Sequence, residues 1–248
     1  MKILVINPNL TQAVTDAVAG VARGSASPGT EIVAVTGVSG PQVIGSRAEN
    51  AVAHIGVLEL AARHCAGCDA IVLGVSLDTA LQALRELLAI PVVGMTEAGL
   101  IGASLVATKI GVITYGRRMV PLYEELVRAH GYGERVAAVS AVDVTPADTF
   151  SDPEGTRSRV LAGCQALVDD HGAEAIVLAG AAMAGMQPVL QPKLPVPLVD
   201  GIACAVQLAE MLVRLKLPKP STGSLAHPGA RAVHGLSPEL AALFQAKR

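Results

Sequence analysis

The sequence predicts an α/β fold of two pseudo-symmetric lobes, each with a parallel sheet flanked by helices, and an active-site cleft between them. Three observations carry this expectation. Strand and helix signals alternate along the whole chain, the pattern of parallel sheets covered on both faces. One strand–loop–helix–strand stretch recurs later in the chain. The composition is 51% hydrophobic with Phe 2, Tyr 3 and Trp 0, so the core must be assembled from Ala, Val, Leu and Ile. The 248 residues suffice for one large domain or two small ones.

Residues 2–6 are a β-branched strand run closed by the turn signal Asn7-Pro8-Asn9. Residues 11–21 have helical spacing, with Thr11 as a candidate cap, and 31–35 are a second strand. An Ala-rich helix is predicted over 49–62, a buried strand over 69–74, a helix over 80–88 and a strand over 91–95. A helix over 97–107 leads to a strand over 110–114, an amphipathic helix over 120–130 and a strand over 136–142. A helix over 153–170, a strand over 175–179, a short strand over 197–199 and a helix over 201–215 follow. Beyond Pro218 the chain turns Pro/Gly-rich, with a last short helix over 237–245 opened by Ser237-Pro238-Glu239.

The recurrence pairs Asp69-Ala-Ile-Val-Leu-Gly74 with Glu174-Ala-Ile-Val-Leu-Ala179, an offset of 105 residues. Downstream, Ile90-Pro91-Val92-Val93-Gly94 pairs with Val196-Pro197-Leu198-Val199-Asp200 at an offset of 106. A duplicated half explains two consecutive matches in the same order. Parallel α/β sheets bind ligands at the carboxyl ends of their strands, so residues 74–79 and 180–185 are expected to face each other across the cleft. The expected division is a first lobe of residues 1–96 plus 203–225, a second lobe of 97–202 and a C-terminal tail of 226–248.

Nineteen basic residues against 21 acidic ones leave a net charge of −2, and aromatic platforms for bases are lacking. Nothing here favours nucleic acid or an anionic membrane. No apolar run reaches the length of about 18 residues that a membrane helix needs. The N-terminus reads directly as a strand rather than a signal peptide, so a cytoplasmic protein is expected. The four cysteines do not make a disulfide framework in a chain this long. Cys65-x-x-Cys68 lacks a second pair for zinc, and the histidines show no paired metal spacing, so no metal is expected. The expected partner is a small-molecule substrate, with the tail serving as packing or as a contact in a homo-oligomer.

Several segments together resemble the hydantoin/allantoin racemase branch of the aspartate/glutamate racemase superfamily. They are Asn7-Pro8-Asn9, Gly40-Pro41 with Ile44-Gly45, Asp69-Ala-Ile-Val-Leu, Leu84-Arg85-Glu86 leading to Ile90-Pro91-Val92-Val93-Gly94, and Glu97-Ala98. Val120-Pro121-Leu122 with Glu124-Glu125-Leu126, and residues 181–185 followed by Val199-Asp200-Gly201, complete the set. The resemblance spans residues 2–213 and implies two α/β lobes with the site between them. It also implies cofactor-free proton transfer by two cysteines, one from each lobe, on opposite faces of the substrate's α-carbon. The corresponding positions here hold Val75 and Gly180, themselves 105 residues apart. Neither exchanges a proton. Cys65 and Cys68 precede their strand, and Cys164 and Cys204 lie on helices.

Other groups must then carry any chemistry. Asp78 is either a general base on water or a helix cap, and Ser76 either a nucleophile or a cap. Tyr115, standing where the resemblance implies a second Thr after Thr114, is either an oxyanion donor or a wall of the pocket. Substrate contacts are expected from Asn7, Asn9, Thr79, Thr114, Gly180, Ala181 and Met183, although Asn7 and Asn9 also fit a simple turn. His227 and His234 contribute an acid or base if the tail folds over the cleft. The function expected is a cofactor-independent enzyme on a five-membered cyclic amino-acid derivative of the hydantoin, allantoin or thiazoline-carboxylate type. Hydrolytic ring opening is the economical chemistry without thiols. The alternatives are a racemase using non-cysteine acid/base groups and an inactive, ligand-binding homologue.

Overall fold

The computed structural model describes residues 1–245. The elements run β1 (Lys2–Asn7), α1 (Gln12–Ser25), β2 (Glu31–Thr36), α2 (Arg47–His64), β3 (Ala70–Leu73), α3 (Leu81–Leu87), β4 (Val92–Gly94), α4 (Met95–Ser104) and β5 (Ile110–Tyr115). Then come α5 (Val120–Ala129), β6 (Val136–Val142), α6 (Asp148–Ser151), α7 (Pro153–His171), β7 (Ala175–Leu178), α8 (Gln187–Leu190), β8 (Leu198–Asp200), α9 (Gly201–Leu215) and α10 (Pro238–Gln245).

Two four-stranded, all-parallel sheets result, ordered β2-β1-β3-β4 and β6-β5-β7-β8. The second order is the first with each strand replaced by its counterpart, and the registers match: Ile71 pairs with Val92 as Ile176 pairs with Leu198. The inner strands β1, β3, β5 and β7 are buried on both faces. In β1, Ile3 and Val5 join one apolar cluster and Leu4 and Ile6 another, the alternation a pleated strand imposes. The first cluster is shared by the lobes, running from Ile3, Val5 and Val72 through Ile202, Ala205 and Val206 of α9 to Ile113, Ile176 and Leu178.

The helices α4 and α9 cross at the junction between the lobes. A methyl at Gly201 would stand 2.2 Å from the Met95 carbonyl oxygen, so only glycine admits this approach. Around that crossing α4 packs on β7 and α9 on β3 and β4, each helix lying against the sheet of the opposite half.

Helix starts differ from the sequence expectation where the cap is remote or was overlooked. α2 begins at Arg47 because Ser46 and Glu49 form a capping box: Ser46 accepts from Glu49 N and donates to Glu49 Oε2 at 2.8 Å. α4 begins at Met95 rather than 97 because a carboxylate from another loop caps it, as described below. β5 runs one residue further than expected, so Tyr115 ends the strand.

The tail packs away from the interlobe cleft. Ser237 N donates to Glu59 Oε1 of α2 at 3.1 Å, and Leu243 joins the cluster under α2 and α3. His227 donates through Nε2 to the Leu243 carbonyl at 2.8 Å and accepts at Nδ1 from Gly229 N. The last three residues of the expected tail, 246–248, lie outside the described residues. Among the described residues, no helix is long and apolar enough to cross a membrane, and no group of three or more His, Cys, Asp or Glu is placed to hold a metal.

Candidate active site

The carboxyl ends of the central strands of both sheets converge on one cavity of about 240 Å³. Asn9 and Thr11 reach it from beyond β1, Val75 and Ser76 from beyond β3, Thr114 and Tyr115 from β5, and Ala179 to Ala182 from beyond β7. Ligand sites of parallel sheets sit at this end. The volume is below that of pockets for drug-sized ligands, which start at roughly 300 Å³, and it suits a single small ring. Val75 and Gly180 line the cavity from opposite lobes, as do Ser76 and Ala181.

Ser76 is held by a residue that sequence reasoning missed. Tyr123 of α5 is fully buried and donates its phenol proton to Ser76 Oγ, with Thr114 also hydrogen-bonded to it. Burial pushes the Tyr123 phenol up to about 12, against the opposing effect of those hydroxyls, so it stays a neutral donor. Ser76 therefore accepts a hydrogen bond where a nucleophilic serine would have to give up its proton to a base. No carboxylate or imidazole is among the residues lining the cavity. Nothing in the sequence distinguished Tyr123 from the other apolar positions of an amphipathic helix. Arg118, also overlooked, lines the cavity from the short turn before α5.

Asp78 corrects the reading of it as a catalytic base. Its side chain is about 1% exposed and does not line the cavity. Oδ1 accepts from Thr96 N at 3.0 Å, and Oδ2 accepts from Glu97 N at 2.8 Å and from His130 Nε2 at 3.0 Å. It is a cap, but of α4 rather than of the helix that follows it. The repeat explains why. In the second half Asp200 caps α9 with its own side chain, accepting from Ile202 N at 2.9 Å. In the first half the matching position is Gly94, and a methyl built there would fall 2.4–2.7 Å from the Asp78 carboxyl atoms. Asp78 thus supplies from a neighbouring loop the carboxylate that Gly94 lacks. Burial pushes the Asp78 carboxyl above the usual carboxylate range, with His130 and the two backbone donors opposing.

The loop that does this is bent through two left-handed residues, Asp78 at φ +48° and Ala80 at φ +62°. The first turn of α3 consequently has no side-chain cap, so neither Ser76 nor Asp78 caps it. Thr96 Oγ1 pins the loop by donating to the Ser76 carbonyl at 2.6 Å.

The other expected contacts divide. Asn9, Thr114, Gly180 and Ala181 line the cavity, and so does Tyr115. Tyr115 shares a 2.9 Å hydrogen bond with Thr149, and burial pushes its phenol up to about 12. Asn7, Thr79 and Met183 do not line it. Asn7 is buried and ties down the turn after β1, donating to Asn9 Oδ1 at 3.0 Å and Thr15 Oγ1 at 2.9 Å. Thr79 donates to Asn50 Oδ1 at 2.6 Å, and Met183 is buried behind Gly180. His227 and His234 are not lining residues either, since the tail binds α2, so the condition for a role in the chemistry, a tail folded over the cleft, is not met. None of the four cysteines lines the cavity.

The profile of the Asp/Glu/hydantoin racemase family matches residues 3–209. The chain belongs to that family. It is 35% identical over 216 residues to the hydantoin racemase of Pseudomonas sp. (strain NS671), covering 87% of each chain. Among solved structures, the allantoin racemase from Klebsiella pneumoniae superposes with a TM-score of 0.91 at 34% identity, over 97% of this chain and 98% of the other. The allantoin racemase from Pseudomonas fluorescens gives 0.92 at 33% identity, over 95% and 100%. Family membership counts against hydrolytic ring opening and directs attention to isomerase chemistry.

Proposed function

We propose that this racemase-family protein is an isomerase of small five-membered cyclic ureides, of the hydantoin or allantoin type, that exchanges the proton on the ring's α-carbon without thiols. The observation that carries the reading is that Val75 and Gly180 line one ring-sized cavity from opposite lobes, at the ends of the paired strands β3 and β7. The family resemblance puts the two proton-transferring cysteines at those positions. Here the α-carbon meets an isopropyl group on one side and bare backbone on the other.

The remaining polar groups support enolate formation. The α-proton of such a ring is acidified by its neighbouring carbonyl. Donors aimed at that oxygen lower the cost of the enolate in a site with apolar walls. Ser76, whose oxygen is already occupied by the Tyr123 proton, has its own proton to give. The Asn9 side-chain oxygen accepts from Asn7 Nδ2 and Thr11 N, each at 3.0 Å, which leaves its amide hydrogens to donate. Water entering the cavity takes the α-proton from one face and returns one to the other, while Ser76 and Asn9 donate to the enolate oxygen.

The test is incubation of single enantiomers of 5-substituted hydantoins and of allantoin in D₂O, followed by polarimetry and proton NMR. Deuterium at the α-carbon with loss of rotation is expected, unaffected by iodoacetamide. A ring-opened product that keeps its α-hydrogen would establish hydrolysis instead. Saturable binding with no exchange would make the protein a ligand-binding member of the family.

A further inference from the structure

We infer that the cavity selects rings carrying an anionic arm, a carboxylate on a short side chain, and that Arg118 is the residue that reads it. The inference rests on the small-ring reading above and narrows it to a charged substrate class.

Among the described residues, Arg118 is the only charged side chain that lines the cavity. It is exposed at the cavity's edge and makes no hydrogen bond or ion pair with any described residue. Some arginines elsewhere are paired with carboxylates. Arg85 grips Glu97 through two bonds of 3.0 and 2.6 Å, and Arg214 reaches Glu210 at 2.7 Å. At the cavity the positive charge is uncompensated. Low-dielectric walls such as Val14, Val75 and Ala179 concentrate its field toward whatever enters.

The base of the side chain is fixed even though its tip is free. Arg118 belongs to the turn Arg117–Met119, whose Met119 is buried and lines the same cavity. Met119 N donates to the Gly116 carbonyl at 3.0 Å, and Tyr123 lies buried one helical turn on. The guanidinium thus swings from an anchored point, and its planar fork matches a carboxylate with two parallel hydrogen bonds.

Two of the uncharged polar groups agree in sign. Asn9 and Ser76 have donors to offer while their acceptor oxygens are engaged inside the protein. Thr11 and Thr145, whose hydroxyl protons go to the Gln42 carbonyl at 3.1 Å and to Asp148 at 2.8 Å, present acceptor oxygens instead. The carbonyl and carboxylate oxygens of a ligand meet Arg118, Asn9 and Ser76, and a cationic ligand is repelled by Arg118. A ring that ends in a carboxylate places its carbonyl near the strand ends and its charge at the mouth.

The experiment is isothermal titration calorimetry of the full chain with 5-carboxymethylhydantoin and with its uncharged isostere, the side-chain primary amide. The wild-type protein is expected to bind the acid at least about tenfold more tightly than the amide, the scale of one charge-assisted bidentate contact. Arg118→Gln is expected to bring the ratio below about threefold. Arg117→Gln, which alters the neighbouring exposed cation outside the lining, is expected to keep the wild-type ratio. Equal wild-type affinities, or a preference that survives in Arg118→Gln, would overturn the inference and leave the ring reading intact, since both ligands bind. Binding of neither ligand would overturn the ring reading and this inference with it.

Discussion

Replacing Asp78 by asparagine separates a structural carboxylate from a catalytic one. The side chain receives three donors in a fully buried place: Thr96 N at 3.0 Å, Glu97 N at 2.8 Å and His130 Nε2 at 3.0 Å. Asparagine retains one oxygen, and its amino group turns toward an N–H that then has no acceptor. An unsatisfied buried donor costs about 1–3 kcal/mol. Losing the negative charge at the N-terminus of α4 costs about 0.3–1 kcal/mol more. The backbone contribution drops out, because asparagine tolerates the left-handed conformation that Asp78 adopts at φ +48°. The expected loss is therefore about 3 kcal/mol. With a urea m-value of about 3 kcal/mol/M, the unfolding midpoint at pH 7 falls by about 1 M. Exchange of the ring proton, measured on the fraction still folded, is expected to persist, because Asp78 does not line the cavity. A variant that unfolds at the wild-type midpoint yet has lost all exchange would refute the argument and return Asp78 to the chemistry.

Two further outcomes follow from other parts of the molecule. The buried Glu210 carboxylate of α9 ties that helix to the α1–β2 turn. Burial raises its pKa, but bonds from Ser27 and Thr30 and the charge of Arg214 overcome this and hold it at about 2. Its stabilisation is therefore complete above the ordinary value of 4.5 and fades as the pH falls through about 2. Glu210→Gln should lose about 3 kcal/mol in urea unfolding at pH 7 and much less near pH 2; a loss equal at both pH values would contradict the assignment. At the cavity, Gly180 has extended backbone at φ −172°, and a Cβ there meets Met183 Cγ at 3.4 Å, an ordinary contact. The double variant Val75→Cys/Gly180→Cys should thus fold and gain iodoacetamide-sensitive α-proton exchange, at least about tenfold above wild type if a thiol lowers the barrier by about 1.4 kcal/mol. Exchange no faster than wild type would show that these positions do not flank the α-carbon.

Much of the architecture was legible because it depends on local pattern. The continuous apolar runs of β1, β3 and β7 follow from chemistry carried within each segment. The 105-residue echo foretold the matched strand orders of the two sheets. It also foretold that Val75 and Gly180 stand at matching strand ends, and both line the cavity, because duplicated sequence makes the same strand end at the same place. The capping box at Ser46 and Glu49 was written in the sequence as well, although the helix was expected to start later.

What the sequence by itself determined is the α/β fold, its internal pairing, the family, and two of the loops that line the cavity, because each is encoded in residues that are neighbours along the chain. Only the tertiary structure decided what individual side chains do there. Asp78 had to meet the empty side of Gly94 before it could be seen as a cap for α4. Tyr123 had to be carried from the second lobe to Ser76, 47 positions away, before the serine could be seen as an acceptor. A hydrogen bond has its full effect only between atoms about 3 Å apart, and no spacing along the chain records which distant loops the packing brings that close.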